Sequence, residues 1–201
     1  MERVLILNGS PRAPKSNSKQ YAQVFSRACP VETEYFEITK TNHLELCRAM
    51  EGYSDVLLVF PLYADALPVT LLNFLKTLEE NPPQKKPVVS VLINCGFFEP
   101  EQNDVAVEIL ALYCSQNGYR FGSVLEIGSG EAILKTPFRF LATGNIKKLA
   151  RAMQRQTNQR FKVTMPITKG MFLKASTNYW IRYGQSRGVT KEQMETMKIE
   201  E

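Results

Sequence analysis

Apolar and polar residues follow two rhythms along this chain, and the rhythms take turns. Val4-Leu5-Ile6-Leu7 is a continuous apolar run within a predicted strand, Arg3–Leu7. Tyr21, Ala22, Val24, Phe25 and Ala28 then recur at helical spacing within Ser18–Cys29. Pro30 ends that helix, since proline disfavours the helical region for the residue before it. Glu34–Ile38 alternates as a second strand, Asn42–Glu51 reads as a short helix, and Asp55–Phe60 is an apolar third strand closed by Pro61. A helix after Pro68 runs to Glu80, with Val69, Leu72, Leu75 and Leu78 on its predicted buried face, before Asn81-Pro82-Pro83 breaks it. The pattern continues with a strand Pro87–Ile93, a helix Glu101–Asn117 stopped by Gly118, and a strand Gly122–Ile127 ending at Gly128-Ser129-Gly130. A helix over Asn145–Asn158 closes it. No internal repeat is present.

Apolar strands alternating with amphipathic helices predict an α/β fold, a parallel sheet covered by helices on both faces. Five strands are too few for an eight-stranded barrel. Right-handed crossovers then favour a doubly wound, five-stranded sheet in the order 2-1-3-4-5. In that order strands one, three and four are neighbours. The loops after Asn8, Phe60-Pro61 and Ile93-Asn94 are therefore expected to meet at one edge, beside the point where the winding reverses.

The first loop carries the richest chemistry. Asn8-Gly9-Ser10-Pro11-Arg12 leads into Ser16-Asn17-Ser18, so a buried strand opens through a hydroxyl-rich turn into a helix N-terminus. Backbone N–H groups, serine hydroxyls and the Arg12 guanidinium converge there, which suits a phosphate group. A polar strand-to-helix turn with Ser16 or Asn17 as N-cap fits the same residues. Gly9 to Ser16 almost spells the Walker pattern, but Pro14 stands where its second glycine belongs and has no N–H to donate. The dinucleotide fingerprint G-x-G-x-x-G is absent, because only Gly9 is there. The nearest cysteine, Cys29, lies beyond the loop, which excludes a cysteine phosphatase.

In the second loop, Pro61-Leu62-Tyr63-Ala64-Asp65-Ala66-Leu67-Pro68, the proline is expected to end the ladder and turn the chain outward. Tyr63 offers a ring face or hydroxyl to a planar ligand, and Leu62 and Ala64 are expected to leave backbone N–H groups open. The same leucines equally suit tucking under the next helix. The third loop is Asn94-Cys95-Gly96-Phe97-Phe98. Gly96 permits close approach to a heterocycle edge, and Phe97 and Phe98 either wall a pocket or cap the core. Cys95 reads as a small buried apolar residue rather than a nucleophile, because no base accompanies it.

Composition narrows the field. The 201 residues, 44% hydrophobic and 22% charged, suit one sizeable core. No apolar run is long enough to span a membrane, and the first apolar stretch is a four-residue strand rather than a leader. Cys29, Cys47, Cys95 and Cys114 are widely spaced, so neither disulfides nor a cysteine metal site is expected, and a cytoplasmic location follows. His43 is the one histidine, which leaves little for a histidine triad or zinc site and reads as a surface or helix-entry residue. The net charge of +5 is unevenly spread: residues 145–191 hold 11 basic and no acidic residues, while residues 1–144 carry a balance of −3. That block suits anion steering or a solvated basic face. No nucleic-acid motif accompanies it.

With the three loops in place, the chain resembles the flavodoxin-like NAD(P)H-dependent FMN reductases and quinone reductases. The resemblance rests on Asn8 to Arg12 with Ser16-Asn17-Ser18, on Pro61-Leu62-Tyr63 through Leu67-Pro68, and on Asn94-Cys95-Gly96-Phe97. It implies that Ser10, Arg12, Ser16, Asn17 and Ser18 surround the FMN phosphate. It implies likewise that Pro61, Leu62, Tyr63 and Ala64, with Asn94, Cys95, Gly96 and Phe97, border the isoalloxazine ring. The implied activity is hydride transfer from NADH or NADPH to flavin and on to a small acceptor such as a quinone, with no side-chain acid or base and no metal. A flavodoxin-type electron carrier, or a non-enzymatic interaction protein on the same scaffold, is the alternative. Many relatives carry a cysteine-containing insertion between the second and third strands, whereas here only Thr39 to Ser54 connects them. Residues 1–160 are then the FMN-binding domain. Residues 161–201 form a C-terminal extension packing on that domain or on a second subunit, with Met171–Gly188 placed for a homodimer.

Overall fold

The structure, a computed structural model, describes residues 3–12 and 15–196. Pro14, on which the comparison with the Walker pattern turns, lies outside them, as do the last residues of the extension, 197–201. Six strands form one parallel sheet: β1 (Arg3–Asn8), β2 (Glu32–Glu37), β3 (Asp55–Pro61), β4 (Val88–Asn94), β5 (Phe121–Ile127) and β6 (Arg160–Val163). Their spatial order is β2-β1-β3-β4-β5-β6. The expected order holds, and a sixth strand extends it beside β5.

The missed strand is short and charged. Arg160-Phe161-Lys162-Val163 alternates with only two apolar residues, as an edge strand does, so it carries no apolar run to detect. Side chains distant in sequence hold it. Arg160 donates through Nε to the buried Glu126 Oε1 at 2.5 Å and through Nη2 to Asp104 Oδ1 at 2.6 Å, and Lys162 Nζ reaches the same Asp104 oxygen at 2.8 Å. Burial pushes the Glu126 carboxyl above its ordinary value and the Arg160 guanidinium pulls it back.

The helices are α1 (Asn17–Ala28), α2 (His43–Ala49), α3 (Val69–Glu80), α4 (Asp104–Gln116) and α5 (Arg139–Gln154). Ser16 caps α1 by accepting from Lys19 N–H at 3.1 Å. His43 opens α2. Pro100–Asn103 is a separate 3₁₀ turn before α4, because proline supplies a first turn without needing its own N–H, and Gly118 (φ +67°) follows the helix end. Alternate strand residues face opposite helix layers. Leu5, Leu7, Val56, Leu58, Phe60, Val91 and Ile93 pack with Leu46, Leu71, Phe74, Leu78 and Leu110 of α2, α3 and α4. Contacts of α1 and α5 with each other and with β3 and β5 cover the other face. Each fully buried Leu or Phe contributes about 1.5–3 kcal/mol relative to exposure. One expectation fails on α3: Val69 is 71% exposed, and the buried face runs through Leu71, Phe74, Leu75 and Leu78.

The chain divides into two compact units, residues 1–165 and 166–201. Since β6 pairs with β5, its residues belong to the first unit and straddle the boundary expected at residue 160. The second unit holds α6 (Lys169–Gln185), capped by Thr168, and α7 (Lys191–Glu195), capped by Thr190 and Gln193. Gly184 is the one buried residue of α6; Tyr179, Trp180 and Tyr183 are exposed and pack on one another. No helix among the described residues is long and apolar enough to cross a membrane.

Candidate functional site

Parallel strands deliver their carboxyl ends to one edge, and backbone bonds knit the loops there. Gly9 N–H bonds Val59 O at 2.9 Å, Leu62 N–H bonds Asn94 O at 2.8 Å, and Cys95 N–H bonds Ile127 O at 2.9 Å. Pro61 pairs with Asn94 and Asn94 with Ile127 in the ladder. Pro61 is the last residue of β3 and so ends the strand, as expected. Its missing N–H costs nothing at the last position. The three loops singled out by the sequence lie together, and the loop after β5 joins them.

That fourth loop was not assigned any part. Gly130 N–H bonds Cys95 O at 2.7 Å, Ser129 N–H bonds Phe97 O, and Tyr21 Oη donates to Gly130 O at 2.7 Å. A Cβ at Gly130 would sit 2.8 Å from Asn94 Cβ, so only glycine lets the two loops close. The Gly128-Ser129-Gly130 run was the available signal.

Around the first loop the polar side chains are buried: Asn8, Ser10, Ser16 and Ser18 all lie inside. Asn8 Oδ1 accepts from Ser10 N–H at 3.0 Å, and its Nδ2 donates to Tyr35 Oη at 2.8 Å and to Ser16 Oγ at 3.4 Å. Ser10 Oγ accepts from Arg12 N–H at 3.3 Å. From the third loop, Asn94 Nδ2 donates to Ser18 Oγ and to Phe60 O, both at 3.1 Å. Each of the three serine oxygens thus accepts hydrogen bonds, and among the described residues none gives its own proton away. Three hydroxyl protons are therefore without an acceptor among the described residues. The N–H groups of Asn17 and Ser18, in the first turn of α1, have no partner among the described residues either. Arg12 is exposed beside them, and among the described residues it makes no ion pair. Lys19 pairs with Glu37 at 3.0 Å, with Tyr35 against them; burial pushes the Tyr35 hydroxyl up to about 12.

The ring-side residues divide differently. Tyr63 and Phe97 are exposed, 40% and 52%, and offer aromatic faces. The N–H groups of Leu62 and Tyr63 are not open, the former contrary to expectation, while that of Ala64 has no partner among the described residues. The first bonds Asn94 O and the second bonds Ala66 O at 3.1 Å, closing a two-residue turn at Ala64 and Asp65. Both turn residues have left-handed backbone (φ +46° and +56°), a conformation that costs non-glycine residues about 1–2 kcal/mol each. In the third loop Gly96 and Phe97 keep N–H groups without partners among the described residues. Cys95 is buried, with its Sγ facing Phe97 O and Glu99 O, and burial pushes its thiol up to about 11. Its side chain faces inward, and its backbone N–H and C=O are bonded to Ile127 O and Gly130 N–H. A small apolar void in the core, lined by Met50, Phe74, Leu110 and Cys114 among others, has no polar lining and belongs to the α3–α4 side. The candidate site is the open surface of the loops.

No protein-family model matches the chain, and no curated protein sequence matches it. Solved structures do. An NAD(P)H:quinone oxidoreductase from Methanothermobacter marburgensis superposes with a TM-score of 0.60 at 12% identity, over 76% of this chain and 96% of that one. An FMN-dependent NADH-azoreductase from Bacillus anthracis, solved in complex with FMN, gives 0.57 at 15% identity, over 76% and 99%. A flavodoxin from Streptococcus pneumonia gives 0.57 at 12% identity, over 77% and 99%. The chain has the flavodoxin-like fold.

Proposed function

We propose that this protein is an FMN-dependent NAD(P)H oxidoreductase that reduces a small acceptor such as a quinone. The observation that carries the reading is the donor set at one end of the sheet. Three buried serines with uncommitted protons, two open N–H groups at a helix N-terminus and the Arg12 guanidinium match a phosphate monoester, which only accepts. Arg12 and the first-turn N–H groups supply positive potential and the hydroxyls supply direction. Tyr63 and Phe97 offer apolar faces for a flat ring, and the Gly96 and Phe97 N–H groups can donate to its polar edge. When bound, the flavin supplies hydride and electron transfer; the chain's part is to hold it, orient it and tune it by hydrogen bonds.

The absence of any histidine from these loops fits a reaction whose first half needs no side-chain acid or base. The solved structures named above, two of them reductases, support the same reading through the fold. A cytoplasmic location fits four cysteines that form no disulfide. A homodimer in which the C-terminal unit takes part belongs to the same proposal, supported by the unburied aromatic residues of α6. The choice of NADH against NADPH is read from the assay below.

The test is the absorbance spectrum of the purified protein, before and after reconstitution with FMN, followed by anaerobic addition of NADPH or NADH. A yellow protein that bleaches within seconds supports the proposal. A yellow protein that waits for an added reductase is an electron carrier. A protein that stays colourless after reconstitution ends the flavin reading.

A further inference from the structure

Two asparagines stand out among the buried polar groups at the strand ends: Asn8, fully buried at the end of β1, and Asn94, 3% exposed at the end of β4. The orientation of each carboxamide follows from its backbone partner. Ser10 N–H can only donate, so the atom of Asn8 that it meets is Oδ1 and the other is Nδ2. Phe60 O can only accept, so the atom of Asn94 that it meets is Nδ2. Both Nδ2 groups then spend their two protons: Asn8 on Tyr35 Oη and Ser16 Oγ, Asn94 on Phe60 O and Ser18 Oγ.

The consequence falls on the serines. Ser16 Oγ receives both Asn8 Nδ2 and Lys19 N–H, which uses both its lone pairs and leaves it a donor only. Ser18 Oγ receives Asn94 Nδ2, a group that cannot take a proton back. A hydroxyl ordinarily rotates between donating and accepting. These two are held with their protons turned away from the asparagines. We propose that Asn8 and Asn94 are positioning residues that commit Ser16 and Ser18 to donating, and thereby set this loop's preference for a phosphomonoester over the unphosphorylated ligand. The inference rests on the flavin reading above. A terminal hydroxyl can accept from a serine as well, but a charged phosphate oxygen gains about twice as much from each donor.

The experiment compares the dissociation constants of FMN and riboflavin on the full chain, with thermal unfolding to confirm that each variant is folded. The wild type is expected to prefer FMN. Asn94→Leu, branched at the same carbon with the same number of side-chain heavy atoms but no donor, is expected to lower the FMN-to-riboflavin preference about tenfold. Asn94→Asp reverses the polarity of the bond to Ser18 and is expected to lower that preference about a hundredfold. Asn8→Leu probes the Ser16 arm and keeps the test alive should the Asn94 variants fail to fold.

The cycle with Ser18→Ala separates positioning from mere support. Once Asn94→Leu has freed the hydroxyl, removing that hydroxyl should cost FMN binding about tenfold less than it does in the wild type. Additive losses, or a preference unchanged within twofold in the folded Asn94 and Asn8 variants, overturn the positioning role and leave the flavin reading standing. A wild type that binds FMN and riboflavin equally overturns the phosphate assignment of the loop. A wild type that binds neither overturns both readings.

Discussion

Residues 8–18 and helix α6 depart from ordinary patterning in opposite directions. Around the first loop, side chains that normally face water are buried: Asn8, Ser10, Ser16 and Ser18 all lie inside. On α6, side chains that normally seek a core stay outside, with Tyr179 at 59% and Trp180 at 48% exposure. The costs differ in kind. A buried polar group without a partner costs about 1–3 kcal/mol, so the loop survives only because its serines and asparagines satisfy one another. An exposed aromatic forfeits burial and leaves local stability almost untouched. The loop is thus a built feature whose parts constrain each other, whereas on α6 the aromatic side chains stay exposed and meet one another and Arg187, while Gly184 lies against Met194.

The comparison breaks first at the serines. Replacing Ser16 and Ser18 together by alanine is expected to weaken FMN binding by about 3 kcal/mol, a hundredfold or more, because two charge-assisted donors go at once. The loss of the Ser16 cap costs about 1 kcal/mol of stability besides. Fluorescence titration against circular dichroism melting separates the two effects. Retained flavin affinity in a destabilised double variant would show that the buried hydroxyls serve the fold alone.

Glu126 is the control for that interpretation, being a buried polar group outside the loops. Glu126→Gln leaves Arg160 with Asp104 as its one carboxylate among the described residues and is expected to cost about 2 kcal/mol, less than a fully enclosed pair because Arg160 is partly exposed. FMN affinity should not change. Asp104 in the same cluster titrates in the informative direction. Burial opposes its charge, but the Lys162 ammonium and its neighbours hold its carboxyl below the ordinary value. Its contribution is therefore present above the unfolded value, about 4, and is lost as pH falls through the lower folded one. Asp104→Asn should flatten the acid limb of a stability-against-pH curve in that window.

Smaller still is Arg12→Ala. The side chain is exposed and, among the described residues, free of ion pairs, so unfolding should shift by less than about 0.5 kcal/mol. FMN binding should weaken about tenfold, the value of one charged contact at a wet site. Equal effects on both measurements would contradict the division of labour between the guanidinium and the hydroxyls.

The sequence carried the part of this comparison that depends on local pattern. Apolar runs and helical spacing are local properties, and so β1, β3, β4 and β5 and the order of the first five strands were legible. The convergence of three loops followed from that order. What was not legible depends on residues meeting across the fold. Strand β6 is held by Glu126 and Asp104, far from Arg160 in the chain. Gly130 matters because Asn94 is pressed against it. The N–H group of Leu62 reads as open because nothing in its own segment marks Asn94 O as its partner. Asn8 is written into the loop's motif, yet its hold on Ser16 shows only when the backbone N–H of Ser10 fixes which end of the amide faces which.

The finest test lies on α6. If its aromatic residues answer only to each other, Trp180→Ala removes two edge-on ring contacts and little buried area. Unfolding of the dilute protein should then change by less than about 1 kcal/mol. Should a second copy cover that face, the loss appears only as concentration rises. The wild-type melting temperature then climbs with protein concentration, and that of the variant does not. A cost above about 2 kcal/mol at the lowest measurable concentration would have a different meaning. It would place Trp180 in a core of its own chain, and the contrast between a buried polar loop and an uncovered aromatic helix would no longer describe this molecule.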